Sequence, residues 1–508
     1  MRDLKHPVFW PPFLVLLFSA VYSLVDVEGF LRQAATLNSW LLDSFGWIYA
    51  AGTLFFLGLC VWVYVSPVGR LTIGGRGARP ILTRWQWFSI TLCTTIAIGI
   101  LFWGTAEPLY HLHQPPQGLG IEPGSAAAAR FALATMYMHW TFTPYGIYTL
   151  TALMFALVFY NLHKPFSLGS LLEPLLGRHV RGTLSNAIDA ICLYSLVAGM
   201  SASLGAGLLT IAGGLDTLAG IPRSPLVLAL IALVIVGVFV LSAASGLLRG
   251  IRILSNWNAI AFFVFCAFML VFGPARFILS FGVEALGDYL SHFLARSLYT
   301  GAASGDPWPR DWTIFYWANW LAWAPVTALF LGRMGVGYTV REFIHVNLVF
   351  PALFSCLWMM VFSGSALAAD MEGGAMYGVL QARGPEHVIF ALLADLPLPQ
   401  LTGAVFLVIA FLSYVTAADS NTAAMGALSS HGISPDKPEA PLWIKVLWGI
   451  TVGVIAWIMV AFAGIDGVKM ASTLGGFPAL LLVLAVAAGM VKLVRKPGRL
   501  SQTGEKPR

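Results

Sequence analysis

The stretch DWTIFYWANWLAWAPVTALFLGR, Asp311 to Arg333, is long and apolar enough to cross a bilayer, yet it carries four tryptophans and a proline. On a helix turning about 100° per residue, Trp317, Trp320 and Trp323 share an arc of roughly 120°, with Tyr316 inside it. A lipid-facing surface needs only aliphatic side chains and Phe, and Trp concentrates at headgroup depth, so a stripe of indoles through a span points to a ligand. The ligand such a wall suits is a cation without N–H donors: a quaternary ammonium cannot hydrogen-bond, and the negative faces of rings attract it. Ring packing between helices is the alternative reading of the same pattern.

The rest of the chain supplies the setting. Of its 508 residues 58% are hydrophobic and 10% charged, a balance foreign to soluble folds. Apolar runs of about 20 residues fall near 8–25, 46–65, 86–105, 131–160, 185–213, 224–247, 257–281, 312–331, 343–369, 399–428, 441–464 and 470–491. They predict an all-α membrane protein of twelve transmembrane helices. The first run lacks a small-residue cleavage site and is expected to stay. Assigned alternately to the two sides, 20 of the 29 Lys and Arg fall inside and 8 outside, with Lys445 within a span. That asymmetry predicts cytoplasmic termini in a bacterial-type plasma (inner) membrane. The net charge of +6 is then a topology signal, and no nucleic-acid partner is expected. The five cysteines all lie in apolar runs, and their spacing suggests neither disulfide nor metal.

No linker divides the chain, so residues 1–508 read as a single membrane transport domain. Its divisions are two N-terminal spans (1–85), a segment 86–282, a segment 312–491 and a short basic cytoplasmic tail (492–508). The third run passes from Thr95 through Gly104 into Glu107-Pro108, and the eighth is interrupted by Pro325 ahead of Gly332. Breaks at comparable places in two halves point to an inverted-repeat transporter with a site at mid-membrane. A surface helix is expected over Phe277 to Arg296.

The fourth run adds a second set of rings, His139-Trp140-Thr141-Phe142-Thr143-Pro144-Tyr145-Gly146-Ile147-Tyr148. Trp140, Tyr145 and Tyr148 fall within about 140° of one another, and Pro144 is predicted to bend the span. If four rings each contribute roughly 1–2 kcal/mol to a desolvated cation, about 4–8 kcal/mol corresponds to millimolar to micromolar binding. That suits a cargo better than a resident cofactor, and no cofactor is expected. Ionisable residues in spans default to functional candidates. Glu107, Asp419 and Asp189 qualify, as proton relays or as caps of broken helices. His111 and His113, placed in an outer loop after Pro108, make a weak pair of ligands, so no metal is predicted.

Several separated motifs in order give the chain a family likeness: Phe102-Trp103-Gly104-Thr105-Ala106-Glu107-Pro108-Leu109, His139-Trp140, Ser203-Leu204-Gly205, Ser245-Gly246 with Gly250-Ile251 and Leu254-Ser255-Asn256, Asp311-Trp312-Thr313-Ile314-Phe315-Tyr316-Trp317-Ala318, Arg341-Glu342-Phe343-Ile344 and Thr416-Ala417-Ala418-Asp419-Ser420. From the third span onward it resembles the betaine/carnitine/choline transporters. The resemblance implies twelve helices, of which the first two are peripheral, a five-plus-five inverted-repeat fold like that of amino acid/sodium symporters, with 86–282 as the first repeat and 312–491 as the second, and a homotrimer embedded in lipid. It also implies an aromatic box at Trp140, Tyr145, Tyr148 and Trp320, with Trp317 and Trp323 along the adjacent path. Tyr145 stands where betaine carriers have Trp, and Asn319 interrupts their Trp-Trp pair, offering a donor and an acceptor beside the box. Gly99 occupies the place where choline-type relatives tend to have Asp; its absence favours a zwitterion over a net cation.

For coupling, the resemblance points to Na+ between carbonyls near Cys93 and Ile96 and the hydroxyl of Thr416, with Ala417 replacing a second hydroxyl. A further sodium site maps to Leu196 and Met200 and is dismantled. H+ carried by Glu107 or Asp419 is the other candidate coupling ion. The expected function is secondary active transport of a betaine-like quaternary ammonium zwitterion by alternating access. A sulfonium betaine, carnitine or amino acid moved by exchange or proton coupling is the alternative, as is a sensor that binds without transporting. An enzyme would need a buried nucleophile–base pair or metal cluster, and the sequence offers neither.

Overall fold

The computed structural model describes residues 3–96, 98–244, 247–433 and 440–501, which form helices joined by turns. Extended pairing among them is confined to isolated bridges, Leu4 with Ser430 and Thr72 with Thr339. Nine helices among the described residues are long and apolar enough to cross a membrane, or ten when a bent pair counts as one span. The protein is an all-α membrane protein.

An N-terminal hairpin comprises α1 (His6–Val25) and α2 (Val27–Val65). Helix α2 begins well ahead of residue 46, where the apolar run starts. The Asp26 carboxylate caps it by accepting from the Gly29 N–H at 2.8 Å, and its first turns carry the exposed Glu28, Arg32 and Gln33, a polar amphipathic extension that hydropathy reads as loop. The third run is α3 (Arg84–Ile96) and α4 (Gly99–His113), bent by 53° on either side of residue 97, which lies outside the described residues. Because α4 continues to His113, His111 and His113 are helical and not in a loop, a correction to the sequence reading.

The fourth run splits into α5 (Ala126–Trp140) and α6 (Phe142–Ala156) at Thr141, whose φ and ψ are both −116°. The break precedes Pro144 because the ring nitrogen has no proton for the carbonyl four residues back, at Trp140. Next come α7 (Thr183–Ala219), α8 (Pro225–Ala244), α9 (Leu247–Phe272) and α10 (Ala275–Ser297). The seventh run therefore ends at Gly273-Pro274 and not near residue 281, and α10 takes up the expected surface helix. Ser245-Gly246 lies outside the described residues, as do the side chains of Gly250-Ile251.

A π-turn over Arg310–Ile314 leads into α11 (Phe315–Met334), followed by α12 (Phe350–Met371), α13 (Pro399–Leu428) and α14 (Leu442–Arg495). Helix α14 spans both of the last two runs and is interrupted at Gly464, whose φ of 55° would strain any residue with a Cβ. Lys437 and residues 502–508 of the basic tail lie outside the described residues.

Packing separates a centre from a rim. Helix α11 contacts α6, α7 and α14, and 94% of its membrane-length window is buried, as in α7 and the α5–α6 segment, against 28% in α1. A Cβ on Gly476 of α14 would collide with the Ala318 carbonyl oxygen of α11, so these two backbones touch, as small residues permit inside membranes.

Candidate functional site

The break at Thr141 leaves the last carbonyls of α5 short of helical donors. The indole of Trp320, from α11, fills that need by donating to the His139 carbonyl at 3.0 Å. Its ring thereby lies among the rings of the fourth run, with centroids 5.5 Å from Trp140, 5.9 Å from Tyr145 and 5.1 Å from Tyr148. All four side chains are buried.

Beside them runs a narrow hollow fronted by Ile96, Gly99, Trp103, Trp140, Tyr148, Phe315, Asn319, Trp320, Trp323 and Ser472. A water-sized sphere can centre itself over only about 40 Å³ of it. An onium sandwiched at about 5 Å from each ring needs facing centroids roughly 10 Å apart. The rings are closed on one another, so a ligand between them requires that they part by several ångströms. A larger groove of about 660 Å³ lies between the N-terminal hairpin, α7 and α14, lined by residues such as Phe18, Tyr22 and Met459 and, among the described residues, by no charged group.

Not every candidate residue joins the hollow. Gly99 does, and a Cβ there would sit 3.1 Å from Trp140 Cη2. The Asn319 side-chain oxygen accepts from the Ser472 hydroxyl at 2.9 Å. Tyr145 reaches Trp320 but pairs its hydroxyl with that of Ser355 at 3.2 Å. Trp317 is buried away from the lining, edge-on to His139 at 5.9 Å.

The residues assigned to ion coupling scatter. The Thr416 hydroxyl donates to the Leu412 carbonyl at 2.8 Å, and the Cys93 thiol to the Ser255 carbonyl at 3.4 Å. Nearby, the Thr94 and Ser420 hydroxyls face each other at 3.5 Å across α3 and α13, and Asn258 donates to the Ser413 hydroxyl at 2.9 Å. Asp419 is buried in α13.

Glu107 is the centre of a fully buried cluster. One carboxylate oxygen meets His139 Nδ1 at 2.7 Å and His111 Nε2 at 3.1 Å; the other accepts from Trp140 Nε1 at 2.8 Å and from the Tyr316 hydroxyl. With both imidazoles donating, His139 Nε2 accepts from the Thr313 hydroxyl at 3.0 Å. Glu107, His111 and His139 could supply three metal ligands, their candidate atoms lying within 4.8 Å of one another. Two ligands of a tetrahedral zinc at about 2.0 Å stand roughly 3.3 Å apart, so the spacings of 2.7 and 3.1 Å are those of hydrogen bonds. Through Glu107 the cluster is hydrogen-bonded to the Trp140 indole. Sequence reasoning missed His139 and His111 as partners of Glu107, although an i, i+4 Glu–His pair on one helix was visible. It also passed over Trp103 and Phe315 as lining.

Comparison with known proteins follows the same lines. The family model of betaine/carnitine/choline family transporters matches residues 7–499. The glycine betaine transporter OpuD of Bacillus subtilis is 30% identical over 99% of this chain and 97% of its own length. The high-affinity choline transport protein of Escherichia coli is 29% identical over 95% of this chain and 71% of its own. The ectoine/hydroxyectoine transporter of Virgibacillus pantothenticus is 28% identical over 97% of both.

Proposed function

The chain belongs to the betaine/carnitine/choline transporter family and is a multi-pass membrane transporter, not an enzyme; from that premise we propose that it carries a quaternary ammonium zwitterion, bound in a central aromatic box and moved by alternating access. The observation that carries this reading is the convergence of Trp140, Tyr145 and Tyr148 on Trp320, all buried in the most enclosed part of the bundle. Rings of that number and exposure to one another suit an onium head better than they suit a hydrogen-bonding amine. The cargoes for which the relatives are named, glycine betaine, choline and ectoine, each carry a methylated or delocalised cation. Gly99, in place of an acidic side chain, supports a cargo without net charge.

The proposed architecture is twelve spans in a five-plus-five inverted repeat, residues 86–282 and 312–491, in a homotrimer of the bacterial inner membrane with cytoplasmic termini. The driving ion is proposed to be Na+ held by the Thr416 hydroxyl and the carbonyls near Cys93 and Ile96; the Ser420 hydroxyl, which donates to the Thr416 carbonyl at 3.1 Å, and the Thr94 hydroxyl, 3.5 Å from that of Ser420, add oxygens beside it. H+ at Glu107 is disfavoured because that carboxylate accepts four hydrogen bonds, and protonating it would cost one of them or require an imidazole to change tautomer. One accompanying cation adds about 2.3 kcal/mol per 100 mV to accumulation of a neutral cargo.

Counterflow in proteoliposomes tests the reading: loaded unlabelled glycine betaine should accelerate uptake of labelled glycine betaine. Binding without counterflow would make the protein a sensor. Counterflow with ectoine but not with betaine would shift the cargo to cyclic zwitterions.

A further inference from the structure

The second half of α14, beyond the break at Gly464, carries Lys469. Its ammonium lies 4.2 Å from the ring centroid of Trp312, 5.3 Å from that of Phe315 and 5.8 Å from that of Trp103. Among the described residues it makes no ion pair with a carboxylate, and Asp466, Asp311 and Glu107 act on it only at longer range. Rings are its close partners. Trp103 and Phe315 also front the central hollow, and so do Val468 and Ser472, the neighbours of Lys469 on its own helix. A protein cation thus sits on the same ring layer that faces the cargo space.

The opposite sign flanks the other rings, because Glu107 is hydrogen-bonded to the indole of Trp140. The hollow therefore has a carboxylate behind Trp140 and an ammonium over Trp103 and Phe315. A zwitterion placed with its onium toward Trp140 and its carboxylate toward Trp103 gains from both charges. A net cation gains from the first and is repelled by the second. The Trp103 and Phe315 faces already serve one cation, which leaves them less to offer another.

We propose that Lys469 is a specificity-determining residue that selects zwitterionic over net cationic onium compounds at this hollow, an inference that rests on the hollow being the cargo site. Opposed unit charges about 10 Å apart at an effective dielectric of about 20 change a binding constant on the order of ten-fold.

Equilibrium binding of radiolabelled glycine betaine and choline to the purified full-length protein tests it, since the two share a trimethylammonium head and differ in the carboxylate. Wild type should prefer betaine by about ten-fold or more, Lys469→Met should reduce that preference by about ten-fold, and Lys469→Arg should keep it. Equal binding of the two ligands by wild type overturns the proposal whether or not the Met variant can be purified. A preference unchanged in Lys469→Met overturns it as well. Trp320→Ala, measured alongside, tells the two failures apart. If it weakens both ligands while Lys469→Met leaves their ratio alone, the aromatic box stands and the lysine's role falls. If Trp320→Ala weakens neither, the box falls and takes the lysine's role with it.

Discussion

Replacing Glu107 by Leu and by Gln separates a positioning role from a proton-carrying one. The carboxylate accepts four hydrogen bonds, from His139, His111, Trp140 and Tyr316. Leu removes both accepting oxygens and with them all four bonds. The two histidines can change tautomer, and His139 keeps the Thr313 hydroxyl as partner, but the Trp140 indole has only a donor and the Tyr316 hydroxyl loses its one acceptor. Each buried donor left unsatisfied costs about 1–3 kcal/mol, so Glu107→Leu should lower stability by roughly 2–6 kcal/mol, a large share of a typical 5–15 kcal/mol. With the indole free to turn, one ring leaves the box, a loss of about 1–2 kcal/mol or roughly ten-fold in affinity. Gln retains one oxygen for Trp140 and Tyr316 and can turn its amide N–H groups toward imidazoles that accept. Its affinity should therefore stay within about three-fold of wild type, and its thermal midpoint should fall between those of wild type and Leu. Fluorescence-detected melting in detergent, radioligand binding and proteoliposome uptake read the three quantities. Equal behaviour of Gln and Leu would refute the positioning argument. Gln that binds normally yet abolishes uptake would instead identify Glu107 as the carrier of a coupled proton.

Two further outcomes are expected. Gly99→Asp places a carboxylate beside Trp140, with a Cβ contact of 3.1 Å that the indole must relieve by a few tenths of an ångström, and should raise choline binding relative to betaine by about ten-fold; a fall for both ligands would mean that sterics dominate. Thr416→Ala should remove sodium stimulation of betaine uptake with expression unchanged, and uptake that is insensitive to sodium already in the wild type would exclude the site at Thr416.

Much of the bundle was legible because hydropathy reports burial in lipid, and α1, α11 and α13 begin and end within a few residues of their apolar runs. Where polar residues share a helix with apolar ones, that signal fails: Glu28, Arg32 and Gln33 hid the first turns of α2, and Glu107 with His111 hid the last turns of α4. The position of the fourth-run break was recoverable in principle, since proline strips a donor from the carbonyl four residues back. The stripe of Trp320 and Trp323 could be read from helical spacing, but Trp317 turns toward His139 because α11 is surrounded on several sides and every face finds rings. Partnerships between distant spans were out of reach. Nothing in the spacing of Glu107 and Tyr316, or of Lys469 and Trp312, foretells that they meet.

The most direct test of the aromatic box is equilibrium binding of radiolabelled glycine betaine to wild type, Trp320→Ala and Trp47→Ala, the last at a ring 63% exposed on α2. Loss of one ring's roughly 1–2 kcal/mol predicts at least about a ten-fold weakening for Trp320→Ala and none for Trp47→Ala; equal affinity in all three proteins would contradict the account.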